Sequence, residues 1–223
     1  MKDNIDSNYK IQGITQEEYP SLYLSILKLM KLYKIDSVII IIRPKFQNVV
    51  TFTFLKNFLI IGKPILESLD NDEMEGILSH EFSHIFNRDS LSALVISILF
   101  MAPFMYLGAT TDPKNISITS AFLIILSMFF WIYGYKVRNW VIFENEIMAD
   151  REAVLKTQNP RALQNALIKL TLSPMYSNKR PGIISTIMEC GHLVISYFFG
   201  FTHPHLKERI EYLDFANRLI ANT

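Results

Sequence analysis

The chain has 223 residues and a mass of 25.9 kDa, enough for one domain or for one domain with a membrane appendage. Half of its residues are hydrophobic and only 19% are charged, which excludes a disordered chain. Lys plus Arg number 22 against 21 for Asp plus Glu, a net charge of +1 that gives no electrostatic reason to expect a nucleic-acid partner. The lone cysteine, Cys190, excludes an internal disulfide and a Cys-based zinc cluster.

The first ten residues, MKDNIDSNYK, hold no apolar run, so no cleaved leader is expected. Glu18 to Lys34 sets Leu22, Leu24, Ile26, Leu27, Leu29, Met30 and Leu32 against Lys28, Lys31 and Lys34, the pattern of an amphipathic helix with a wide stripe. Ser37 to Arg43, a β-branched run, reads as a buried strand; Asn48 to Phe54 and Asn57 to Ile61 are two further strands, the last punctuated by Gly62 and Pro64. A sheet of about three strands is expected, packed by helices. From Asn71 a helix begins, capped by Asn71 or Asp72 and loaded with acid at Asp72, Glu73 and Glu75, and it runs through Asn87.

Ser90 to Thr111 and Asn115 to Tyr135 are uncharged runs of 22 and 21 residues, separated by a short polar stretch around Asp112 and Lys114. A spanning helix needs about 20 predominantly apolar residues, so the pair reads as a transmembrane hairpin; two helices buried in a soluble core are the alternative. Trp131, Tyr133, Tyr135 and Trp140 suit an aromatic belt. Arg88, Lys136 and Arg138 flank one side against Lys114 on the loop, so the positive-inside rule puts both polar portions in the cytoplasm. Ile142 to Lys156 and Pro160 to Leu172 are expected helices, and Ile183 to Phe201, interrupted by Glu189 and His192, an interfacial or partly buried one. His192, His205 and Cys190 are read as structural.

The expected fold is therefore a mainly helical α+β chain in three parts. Residues 1–88 carry the sheet and the Asn71 helix, residues 89–138 form the inserted hairpin, and residues 139–223 form a helical C-terminal part.

The Asn71 helix contains His80-Glu81-Phe82-Ser83-His84. Residues i and i+4 share a helix face, so both imidazoles can ligate one metal ion, for which neutral imidazole and Zn²⁺ are well matched; one zinc per chain follows. Glu81, next to the first histidine, is placed to act as a general base on water. Alone, the pattern also fits a surface helix with two solvated histidines. A third ligand is available in Glu144-Asn145-Glu146-Ile147-Met148-Ala149-Asp150, where Glu146 and Asp150 share a face; Glu144 is a comparable candidate. His₂Glu plus water is a catalytic zinc set, and Asp150 is placed to accept a hydrogen bond from a ligand histidine's other nitrogen.

HEFSH followed by Asn87-Arg88-Asp89, then the hairpin, then ENEIMADREA, resembles the M48 family of membrane zinc metallopeptidases, HtpX-like proteases foremost and CAAX-type processing proteases more distantly. A third block, Thr202-His203-Pro204-His205-Leu206-Lys207-Glu208-Arg209, is similar to a C-terminal family motif, with His205 in place of its second proline. Ser83 stands where the family more usually has glycine, and the chain starts without the further hydrophobic segments usual in HtpX proteins, which suggests a minimal membrane attachment. The resemblance implies a zincin-like catalytic domain with His80, His84 and Glu146 on zinc, Glu81 as base and Asp150 behind a ligand. It also implies that His203 meets the oxyanion or the substrate carbonyl, and that an edge strand lines the cleft. Here Val50, Thr51, Phe52 and Thr53 would form that strand and bind an extended peptide by strand addition. Arg209 is expected to pair with Asp150 or another carboxylate. The implied activity is a membrane endopeptidase in quality control of a prokaryotic cell membrane, with protein or peptide substrates and the bilayer as partners. A CAAX-type processing protease and a zinc-binding sensor or scaffold without turnover stand as alternatives, the latter needing a fourth protein ligand from Asp150, His203 or His205.

Overall fold

A computed structural model describes residues 9–112, 114, 116–172 and 206–221. They divide into two compact units: residues 9–89, 145–172 and 206–221 in one, and residues 90–144 in the other.

The first unit opens with β1 (Lys10–Gln12), α1 (Pro20–Tyr33) and β2 (Ser37–Arg43), a parallel β-α-β crossover. Pro20 starts α1 two residues later than the apolar pattern suggests, because its fixed φ suits the first helical position, and Lys34 ends the helix in the left-handed region at φ 55°. β3 (Val49–Thr53) and β4 (Asn57–Gly62) form a hairpin. β4 inserts parallel beside β2, which leaves β3 antiparallel on the outside, in the order β1-β2-β4-β3. The sheet thus has four strands, one more than expected, since three-residue β1 is too short to show a period of two. Pro64, read above as punctuation, lies in the first turn of a short helix, α2 (Lys63–Ser68).

α3 (Asn71–Asn87) carries the HExxH segment. Its cap is Asp70, not Asn71 or Asp72: the Asp70 side chain accepts from the Glu73 amide at 2.9 Å while the Glu73 carboxylate accepts from the Asp70 amide at 3.0 Å. Lys169 of α6 (Pro160–Leu172) donates to that same Glu73 at 2.6 Å. Ile77, Leu78, Phe82 and Ile85 sink one face of α3 into a core shared with Ile26, Leu29 and Met30 of α1 and Leu59 and Ile61 of β4. Each such side chain contributes about 1.5–3 kcal/mol by burial. On another side α3 runs against α6 at Gly76, where an added Cβ would sit 3.0 Å from the Leu163 amide nitrogen. The last described helix, α7 (Leu206–Ala221), packs on α6 and carries Arg209.

Arg88, at φ 56°, closes α3, and α4 (Asp89–Thr110) follows at once. α5 runs unbroken from Ile118 to Thr157, so the helix expected separately from Ile142 is its continuation. α4 and α5 are both long and apolar enough to cross a membrane, with mean hydropathies of 2.0 and 1.8 over their best windows. Only 11% of each window is buried, which is not how a pair of core helices in a water-soluble protein behaves. Within the second unit α4 meets α5 through Phe100 and Phe130, 4.7 Å between ring centroids, and through stacked Phe104 and Trp131. Gly134 makes room there, for a Cβ at that position would fall on the Phe100 side chain. The expected 183–201 helix, Cys190, His192, His203 and His205 lie outside the described residues.

Candidate metal centre

His80 and His84 stand one turn apart on α3, and the first unit's part of α5 lays Glu146 against them. One ligand atom from each of the three lies within 4.8 Å of the other two. The two Nε2 atoms are 3.1 Å apart, and the Glu146 carboxylate lies across both, its Oε2 3.5 Å from His80 Nε2 and its Oε1 3.6 Å from His84 Nε2. Ligands about 2.0–2.1 Å from a tetrahedral ion are about 3.3 Å apart, so the triangle has the size such an ion needs. Glu146 is buried and Glu144 exposed, which separates the two carboxylates that the spacing left comparable.

The other ring nitrogens decide the tautomers. His80 Nδ1 lies 2.8 Å from Asp150, and His84 Nδ1 2.6 Å from Asp89. Ionised carboxylates only accept, so both Nδ1 atoms carry a proton, and when the rings are neutral both Nε2 lone pairs turn inward. Two lone pairs 3.1 Å apart repel unless a cation or a proton lies between them. Asp89 closes the Asn87-Arg88-Asp89 block that follows HEFSH, and the sequence alone assigns it no role. It sits five residues beyond His84, outside the i+4 pattern, and arrives there because Arg88 takes the left-handed conformation that starts α4.

Asp150 is also held by Arg209, whose Nε and Nη2 donate to its two oxygens at 2.7 and 2.6 Å. Arg209 Nη1 is 3.3 Å from Glu146 as well, so one buried guanidinium spans both carboxylates of α5. With Arg209 and His80 Nδ1 on it, Asp150 is committed behind the centre and does not serve as a fourth ligand. Burial and the Arg209 charge press the His80 imidazolium downward, yet hydrogen bonds to Asp150 and Glu146 outweigh them and push it up to about 9. The pocket favours positive charge: among the described residues Glu81, Asp89, Glu146 and Asp150 gather about the two imidazoles and Arg209, and His80 holds a proton among them. A dication relieves that excess, and the donor set of two imidazoles and a carboxylate fits it.

Glu81 is buried beside this group and tied to the sheet: Thr51 Oγ1 of β3 donates to its Oε2 at 2.9 Å. Among the described residues β3 is the outer strand of the sheet, and it is the Thr51 side chain that ties it to Glu81.

The family model described as peptidase family M48 matches residues 37–216. A "Protease HtpX homolog" of Bacteroides fragilis is 31% identical over 178 residues, covering 70% of this chain and 55% of that protein. Another from Methanopyrus kandleri is 30% identical over 166 residues (69% and 51%), and one from Pyrococcus abyssi 26% over 233 (92% and 76%). The chain thus spans about half the length of the first two and about three quarters of the third. No solved structure matches it significantly.

Proposed function

The chain belongs to peptidase family M48, and from that premise we propose that it is a membrane-anchored zinc endopeptidase. The observation that carries the reading is the convergence of two imidazole lone pairs and the Glu146 carboxylate beside a buried, hydrogen-bonded Glu81. His80, His84 and Glu146 would hold the ion, and Asp150 and Asp89 fix the imidazole tautomers that make this possible. A zinc ion held by these residues would supply Lewis acidity towards a peptide carbonyl and would lower the pKa of water to about 7. Glu81 takes a proton from the attacking water and delivers it to the leaving amine; Thr51 keeps one carboxylate oxygen occupied, so the other faces the reaction. His203, from the segment outside the described residues, is assigned to the carbonyl oxygen on the resemblance of its motif.

The substrate is an extended peptide added to β3 through its main chain, along Val50 to Thr53. The "Protease HtpX homolog" relatives and the two apolar helices support a membrane setting, with membrane proteins as substrates and the catalytic residues on the cytoplasmic side of a prokaryotic cell membrane. The test is metal content and cleavage of an unfolded model protein by detergent-purified chain, unaltered and Glu81→Gln. Zinc in both with cleavage only in the unaltered protein is expected; equal cleavage by the two removes Glu81 from the mechanism.

A further inference from the structure

Behind the candidate centre Asp150 of α5 holds His80 of α3 at 2.8 Å, with Arg209 on the same carboxylate. Glu146 and Asp150 share one face of α5, so that contact alone does not fix the rotation of the helix. A second contact between the same two helices lies at another azimuth. Ser83, fully buried between the two histidines, donates its hydroxyl to Glu152 Oε2 at 2.6 Å. Asn87 donates to Ser83 Oγ at 3.2 Å and reaches both Glu152 oxygens at 3.4 Å. Ser83 and Asn87 are i and i+4, as His80 and His84 are, on a face turned by about 60° from theirs.

Glu152 follows Glu146 by six residues on α5, so the two carboxylates leave that helix in different directions. Contacts at two azimuths fix both rotation and axial register, which either alone leaves free. One turn beyond, Lys156 donates to the Leu32 carbonyl at 3.4 Å and lies 5.5 Å from the Tyr33 ring centroid, tying the end of α5 to α1 as well.

We propose that the Ser83–Glu152 hydrogen bond, braced by Asn87, is a positioning clamp that holds Glu146 at ligating distance from His80 and His84 before the metal arrives. Ser83 and Glu152 are positioning residues, not ligands. A hydrogen bond to a carboxylate is among the stronger kinds, and a preset triangle means that binding does not have to order α5 on α3. The inference rests on the metal-centre reading given above.

The test is the Zn²⁺ dissociation constant of the full chain in detergent, by competition with a chromophoric chelator, alongside thermal unfolding of the metal-free protein. Glu152→Ala should weaken zinc binding about 10–100-fold, the range seen when groups supporting ligands are removed. Glu152→Gln, whose amide oxygen still accepts from Ser83, should restore most of it. A contact that is merely structural would lower the unfolding temperature and leave the zinc constant unchanged; that result in Glu152→Ala, with binding lost in Glu146→Ala, overturns the clamp alone. Should Glu152→Ala fail to fold, Ser83→Ala removes only a hydroxyl and is judged by the same outcomes. If the unaltered chain and Glu146→Ala bind zinc equally, the metal-centre reading falls and takes the clamp with it.

Discussion

Asp150→Asn tests the buried charge system behind the centre. Asp150 is 1% exposed and accepts from Arg209 at 2.6 and 2.7 Å and from His80 Nδ1 at 2.8 Å. Without its charge, the Arg209 guanidinium keeps Glu146, at 3.3 Å, as its ion pair among the described residues, with Glu81 acting from further off. Breaking one side of a buried pair costs about 3–5 kcal/mol; asparagine retains one acceptor, so about 3 kcal/mol is expected. Arg209→Met should cost a similar amount, since it leaves Asp150 to His80 alone. The double variant removes both members of the Asp150–Arg209 pair and leaves Glu146 to His80, so it should cost less than either single, a coupling of at least about 3 kcal/mol. Urea unfolding followed by circular dichroism, in detergent with a chelator present, measures this, because an apolar hairpin stays helical in detergent while the polar unit unfolds. Burial would raise the Asp150 carboxyl, but hydrogen bonds and charges from His80 and Arg209 hold it below the usual carboxylate range. Its contribution is therefore complete above about pH 4 and disappears as the pH falls through the lowered value, so the coupling should shrink in acid. Single effects that add to within about 0.5 kcal/mol would refute the reasoning.

Thr51→Val removes the donor to Glu81 and keeps the strand's shape, so cleavage should fall about tenfold with zinc content unchanged; lost zinc would mean that Thr51 supports the fold of the centre instead. Gly76→Val drives side-chain carbons into the Leu163 backbone and should cost roughly 1–3 kcal/mol in urea midpoints, whereas in Gly76→Ala a helix-propensity gain of about 1 kcal/mol offsets the tighter contact. Equal stability of Gly76→Val and the parent would deny that α3 and α6 touch there. Burial pushes the Tyr33 phenol up to about 12, partly countered by the hydrogen bond with Ser79. Folding thus favours the neutral phenol, and its contribution, full below about pH 10, is lost as the pH rises towards 12. The stability gap between the parent and Tyr33→Phe should narrow between pH 8 and 10.5, and a constant gap would count against the shift.

The elements with a strong period were legible in the residues. The apolar stripe of α3, the two uncharged runs and the i, i+4 spacing of Glu146 and Asp150 each follow from one helix seen alone. What escaped depends on where chains turn and meet. Asp89 reaches His84 only through the left-handed Arg88, and the Ser83–Glu152 bond joins residues 69 positions apart. Asp70 outcompetes Asn71 as cap because it alone forms the reciprocal pair with Glu73. Lys136 and Arg138 end the apolar window without ending the helix, since charge carries no instruction to break an α-helix as proline or glycine does. Arg209 was expected to pair with Asp150 or another carboxylate; that it holds Asp150 and Glu146 at once needed the fold to be seen.

On the proposed reading, in which a peptide adds to β3, the position of that strand at the rim of the described sheet bears on which proteins could be cleaved. A strand edge offers only main-chain donors and acceptors, and these are the same for almost every sequence. A chain docks on them once it has surrendered its own helix or sheet hydrogen bonds over several residues. Selection at such an edge is made by the free energy of local unfolding in the victim, not by a recognition sequence. A well-packed neighbour is then spared because its segments are already paired, and a damaged one is exposed by the loss that makes it worth removing.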